Sequence, residues 1–230
     1  MFNNYGDCVV LRESNPEAVV AMSTTLRIPI FTAGNGIDEH PTQAMADLYT
    51  ILKWRPSLAA PNVAESDRIR IGIIGIPSRM RTVRSLLRIL AKFPRMVNEV
   101  VVIHAPGIEE EDTLFDTGQQ EELLEAGLSL RCSTDLRSEL PELDVVYINA
   151  IAWVGDSYEV HGGGFRLTRD LPFKPEAIVL HPLARGPELS TCLDDTSHNW
   201  YFSQARGAVF LRMALLTCMV DRADRVMDVV

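Results

Sequence analysis

Short apolar runs alternate along this chain with stretches of helical spacing. The runs "DCVVLR" (7–12), "IPIFTAG" (28–34), "IRIGIIGI" (69–76), "EVVVIHAP" (99–106), "LSLRC" (128–132), "LDVVYINAI" (143–151) and "AIVLHPL" (177–183) have the length and β-branched content of strands. Between them, "NPEAVVAMSTTLR", "HPTQAMADLYTILKW", "RTVRSLLRILAKF" and "GQQEELLEAG" carry helical spacing, and a last long helix is predicted from about Trp200. Asn15-Pro16 and Pro41 mark helix starts. Apolar strands that alternate with helices predict parallel sheets covered by helices on both faces, an α/β fold. The segment 55–68, rich in proline and small polar residues, reads as a linker, and the stretch Trp153 to Lys174, with three glycines in a row, reads as a mobile loop.

In such sheets ligands bind at the carboxyl ends of the strands. The polar outliers fall there: Arg12, the segment Thr32 to His40, then Ser78, Arg79 and Arg81, and His181 to Arg185. Helix N-termini beside them add free N–H groups that suit phosphate or carboxylate. The densest cluster, "TAGNGIDEHPTQ", holds more polar groups than a cap requires, since Asp38 or Glu39 alone would serve the helix from Pro41. A dinucleotide loop does not fit, because only Gly72 and Gly75 are present and the first lies within a strand. "HGGG" (161–164) has no GxSxG after it and reads as loop, and His104 and Cys132 read as structural.

Composition narrows the function. The chain has 230 residues, 47% of them hydrophobic, and a net charge of −9. That excludes nucleic acid and anionic membrane as main partners, since both need a basic face. Cys8, Cys132, Cys192 and Cys218 form no CxxC and fit free thiols in a reducing, cytoplasmic setting, with no metal site. No signal peptide is expected from "MFNNYGDCVV", and the apolar stretch near Ala208 to Val220, broken by Arg212, is too short to span a bilayer.

Taken together, several segments resemble aspartate carbamoyltransferases. "HPTQAMADLYTI" is similar to that family's helix-start motif, and "RTVRSLL" to its motif after the first strand of the second domain. "LHPLAR" resembles its His-Pro-Leu-Pro-Arg segment, "DCVVLR" the strand whose arginine meets carbamoyl phosphate, and "DDTSHNWYFSQARGAVFLRMALL" its closing helix. Ornithine carbamoyltransferases usually carry cysteine where this chain has Thr42 and Pro182, which favours the aspartate branch. The resemblance implies that Arg12 and His40 act on the carbamoyl group, stabilising charge on its oxygen, with Thr42 and Gln43 binding beside them. It implies a carboxylate of the amino acid on Arg81 and the incoming amine on the backbone carbonyl of Leu183, without a cofactor.

The departures set further expectations. The family's Ser-Thr-Arg-Thr phosphate motif and its lysine loop are not found, and Ala150, Ala152 and Ala184 stand where the family has arginine, glutamine and proline. The chain is therefore expected to have a truncated first domain lacking the N-terminal carbamoyl-phosphate segment (1–53, with helix 198–230 packing back on it) and a complete second domain (66–197). The expected function is a non-catalytic or regulatory subunit that keeps incomplete sites for a small anionic substrate. It would be a homo-oligomer or a complex with a full-length carbamoyltransferase, joined through residues 1–30 and the last helix. The alternatives are a repurposed enzyme acting on a carboxylated or phosphorylated small molecule, and an active aspartate carbamoyltransferase whose start was assigned too far downstream.

Overall fold

The computed structural model describes residues 2–13, 15–35, 39–107, 114–150, 162–183 and 185–226. β1 (Val9–Glu13) and β2 (Ile30–Asn35) pair in parallel as a two-stranded sheet, joined by α1 (Pro16–Thr25). Asn15 caps α1, its Oδ1 accepting the Glu17 N–H at 2.9 Å, and Pro16 fills the first turn.

The larger sheet holds β3 (Ile69–Ile74), β4 (Val97–Ile103), β5 (Leu130–Ser133), β6 (Val145–Ile148) and β7 (Ile178–Leu180), in the order β5-β4-β3-β6-β7. Every pairing is parallel. Nearly every residue of β3 and all of β6 are buried, so both faces of the sheet centre are covered, as the unbroken apolar runs predict. Gly72 belongs to this packing. A Cβ there would lie 2.3 Å from Leu143 Cδ1, so any side chain at this position would have to displace the buried Leu143. Gly75, at φ 120°, turns the chain out of the sheet.

Strands β4 and β5 lie on one side of β3, and β6 and β7 on the other. The carboxyl ends of β3 and β6 therefore flank a topological switch point, the place where open parallel sheets leave a crevice. α3 (Arg81–Leu90) starts there, and α4 (Gln119–Glu125) and α5 (Leu136–Glu139) connect the following strands. α2 (Pro41–Trp54) packs on α3 and on α6 (Tyr201–Val226). Gly207 makes the second contact close, since a Cβ there would meet Tyr49 Cε1 at 2.9 Å.

Two segments hold more order than their composition suggests. Residues 55–68, expected as a linker, are packed against the rest of the chain. They form short 3-10 turns, bury Leu58 completely, and send Arg55 to Asp144 (3.3 Å), which also takes Lys174 (2.6 Å) and the Arg70 N–H (2.9 Å). The predicted mobile loop, Trp153 to Lys174, lies partly outside the described residues, at 153–161. From Gly162 onward it is structured, with a 3-10 turn to Phe165, buried Phe165 and Leu167, and a bridge from Leu167 to Leu189. Cys8, Cys132, Cys192 and Cys218 are not joined in disulfides. Among the described residues, no helix is long and apolar enough to cross a membrane.

Candidate active site

The polar cluster ahead of α2 is built around His40, which occupies the N-cap position without a side-chain capping bond. Glu39 does not cap the helix. It pairs with Arg88 of α3, and the His40 N–H donates to Ser85 Oγ of the same helix at 3.0 Å. Asp38 lies outside the described residues. These two ties hold the turn against α3 and free the imidazole for other work.

β2 ends beside it. Gly34 has φ 118°, and a Cβ there would lie 3.7 Å from both the His40 ring and Nη1 of Arg81. The sequence-predicted His40 and Arg81 thus converge on one backbone position, reached from α2 and from the start of α3. Arg12 of β1 and Arg212 of α6 act electrostatically on the same imidazole. Burial first, then Arg81, Arg212 and Arg12, push the His40 pKa down to about 4. Burial and Arg12 lower that of Arg81 as well. Near neutral pH the site therefore presents an uncharged imidazole among guanidinium groups, an N–H donor set in a positive field.

Thr42 and Gln43 are buried in the first turn of α2. Thr42 Oγ1 sits 3.4 Å from His40 Nδ1. Gln43 Nε2 donates to Asp47 Oδ1 (2.8 Å), which orients the amide and leaves its oxygen as the free acceptor. Asp47 is fully buried, and the same oxygen takes Gln204 Nε2 of α6 at 2.6 Å. Gln204 Oε1 in turn accepts the His181 N–H after β7 (2.8 Å). Burial raises the Asp47 pKa to about 7, although Gln204, Gln43, Tyr147 and Arg212 hold it down. Tyr147 of β6, also buried, is pushed up by burial and by Asp47. At the switch point itself Asn149 Nδ2 donates to Thr82 Oγ1 at 3.0 Å.

Leu183, predicted from resemblance alone, lies beyond β7 and has φ 63°, the one positive φ among described non-glycine residues. It joins the cluster indirectly, through His181, Gln204 and Asp47. Sequence reasoning missed Arg212, Asp47, Gln204, Thr82 and Asn149. Arg212 had left a signal, being the charge that interrupts an apolar helix. Among the described residues, no group of three or more His, Cys, Asp or Glu is placed to hold a metal ion.

The profile of the Aspartate/ornithine carbamoyltransferase, Asp/Orn binding domain matches residues 67–219, and that of the carbamoyl-P binding domain matches residues 1–53. The chain belongs to the aspartate/ornithine carbamoyltransferase family. It is 33% identical over 225 residues to an aspartate carbamoyltransferase catalytic subunit of Haloquadratum walsbyi, covering 95% of this chain and 68% of that protein. It is 31% identical to the chloroplastic aspartate carbamoyltransferase of Arabidopsis thaliana, covering 94% of this chain and 53% of that protein. The crystal structure of Trypanosoma cruzi aspartate transcarbamoylase with carbamoyl phosphate and aspartate superposes with a TM-score of 0.77 at 29% identity, covering 93% of this chain and 65% of that one. The chain thus spans about two thirds or less of the length of these relatives. The match of the carbamoyl-P domain to residues 1–53 does not support the expectation of a chain lacking that segment or carrying only a truncated first domain. The catalytic subunits among its relatives likewise give no support to a regulatory or non-catalytic role.

Proposed function

We propose that this chain carries out carbamoyl transfer from carbamoyl phosphate to the amine of aspartate. The observation that carries the reading is the convergence of neutral His40 and Arg81 on Gly34, within the field of Arg12 and Arg212. In this reaction the amine nitrogen attacks the carbamoyl carbon, charge builds on the carbamoyl oxygen, and phosphate leaves with the electron pair of the broken C–O bond and takes the proton that the nitrogen sheds. His40 donates an N–H to that oxygen. Arg12 and Arg212 favour the anionic donor, Gln43 accepts from the carbamoyl amide, and Arg81 takes a substrate carboxylate. The similarity to aspartate carbamoyltransferase catalytic subunits supports this assignment. Ala150, at the crevice beside Asn149, favours a second reading in which the acceptor is another carboxylated amine, since it offers aspartate no cation.

The test is a carbamoyl-transfer assay with aspartate, ornithine and other amino acids. Carbamoyl aspartate should form fastest, and His40→Ala should lower kcat by roughly 10²–10³-fold, the usual cost of one oxyanion donor. Turnover unchanged in His40→Ala overturns the reading, and preference for another amine selects the second one.

A further inference from the structure

The turn after β7 contains a buried acid–imidazole pair that the proposed reaction does not use. His181 is wholly buried and Glu188 nearly so. The Leu183 N–H donates to His181 Nδ1 at 2.8 Å, so that nitrogen carries no proton. The ring proton is then on Nε2, which faces Glu188 Oε1 at 2.9 Å. The same carboxylate oxygen accepts the Gly186 N–H at 2.8 Å. Gly186 leaves it room, since a Cβ there would come within 2.7 Å of Glu188 Oε2. Burial pushes the Glu188 carboxyl up, but the bonds from His181 and Gly186 outweigh burial and keep it below its ordinary value. The backbone of His181 is fixed as well, by Gln204.

All of this bears on the residue with the unfavourable backbone. A leucine at φ 63° persists only where its surroundings over-determine it. We infer that Glu188 is a positioning residue that fixes the Leu183 carbonyl, acting through the imidazole of His181. Glu188 selects the ring tautomer, the tautomer leaves Nδ1 as an acceptor, and Nδ1 holds the Leu183 N–H. The held N–H belongs to the peptide one plane before the carbonyl, and it anchors the frame from which the Leu183 φ of 63° directs that carbonyl. The functional consequence rests on the proposed reaction and on the role the family resemblance gives this carbonyl, that of receiving the incoming amine. The clamp itself does not.

Nitrogen-15 NMR of the full chain without ligand tests the clamp, with amide exchange at Leu183. In the wild type, His181 should show a protonated Nε2 and a bare Nδ1. In Glu188→Ala, Leu183 exchange should accelerate by about tenfold or more, while Glu188→Gln, which keeps an acceptor oxygen, should stay within about threefold of wild type. In the transfer assay, Glu188→Ala should raise KM for the amino acid about tenfold and leave KM for carbamoyl phosphate within about twofold, with Gln restoring it. A protonated Nδ1 in the wild type overturns the inference, as does equal Leu183 exchange in wild type and Ala. If Glu188→Ala does not fold, the wild-type ring signals and the Gln variant decide: loss of Leu183 protection in Gln refutes it. Expected NMR behaviour in a chain that transfers no carbamoyl group leaves the clamp standing and fails the proposed reaction.

Discussion

β1 and β3 are both short apolar parallel strands, yet they live in different surroundings. Along β1 the residues alternate between half-buried and exposed, and Val10 is 59% exposed. Along β3 only Arg70 escapes full burial. The cause is position in a layer. β3 is bonded on both sides at the centre of a five-stranded sheet, whereas β1 has β2 alone among the described residues. Strand hydropathy reports what a segment could bury, and the tertiary neighbours decide what it does bury. The site straddles this difference: Arg12 stands on the thin sheet, Arg81 and Leu183 at the ends of strands of the thick one, and α2 with His40 and Asp47 forms the seam.

The largest test of the contrast is a pair of truncations. Ile73→Ala removes a fully buried side chain from β3 and should cost about 2–5 kcal/mol in denaturant unfolding. Val10→Ala trims a side chain that is already 59% exposed on β1 and should stay within about 0.5 kcal/mol. Comparable losses would mean that the thin sheet is as well packed as the thick one. The apolar side chains left in water on the same side of the contrast, Phe210, Val209 and Met213 of α6, are the surface that self-association would cover. Sedimentation of a species at least twice 25.7 kDa, reduced by Phe210→Asp, is the expected sign of it.

What could be read from the sequence divides along similar lines. The strands of the large sheet and the start of α2 at Pro41 were legible, because continuous apolar runs and a proline at the first turn are local signals. The pairing of Asp47 with Gln204 was not, since those residues are 157 apart and neither is unusual in its own helix. The contact of Thr82 with Asn149 depends on the strand order around β3, which no local pattern encodes. His40 and Arg81 were placed by family resemblance, and their meeting at Gly34 follows from β2 ending where α3 begins. The stretch from Gly162 looked mobile because glycine dominates it, while the order there comes from Phe165 and Leu167 reaching the core.

At the seam, two titrations should oppose each other. The folded-state pKa of His40 is about 4 against 6.5 when unfolded, so between those values the unfolded chain binds more protons and stability falls as pH drops. Asp47 runs the other way. Its folded value of about 7 exceeds the unfolded 3.8, so its contribution is fully present below 3.8 and is lost as pH rises through 7. In wild type the slopes largely cancel between pH 4 and 6.5. Asp47→Asn should leave only the His40 slope, with stability decreasing on acidification from 6.5 to 4. His40→Asn should leave only the Asp47 slope, with stability increasing on acidification from 7. Each slope is bounded by ~1.4 kcal/mol per pH unit, and the part-exposed His40 falls short of it through screening. Urea melts at intervals of pH measure both, and identical profiles in the two variants would remove the seam's role.

The smallest expected effect asks whether the thin region unfolds on its own. α1 is one of its elements, a short helix whose middle carries the exposed Val20. A helix of this length is marginal in water without tertiary support. Its cap therefore matters, and Asn15→Ala removes the acceptor of the Glu17 N–H at a cost of about 1 kcal/mol. If β1, α1 and β2 open independently of the large sheet, that loss appears locally. Amides of residues 16–25 should exchange about fivefold faster while those of β3 keep their rates, and the global midpoint should not move. If the whole chain is one cooperative unit, the same energy appears instead as a shift of the global transition, and every protected amide accelerates together. The first pattern would make the two sheets separate folding units joined at α2; the second would mean that the exposed strand, for all its thin cover, is held as firmly as the buried one.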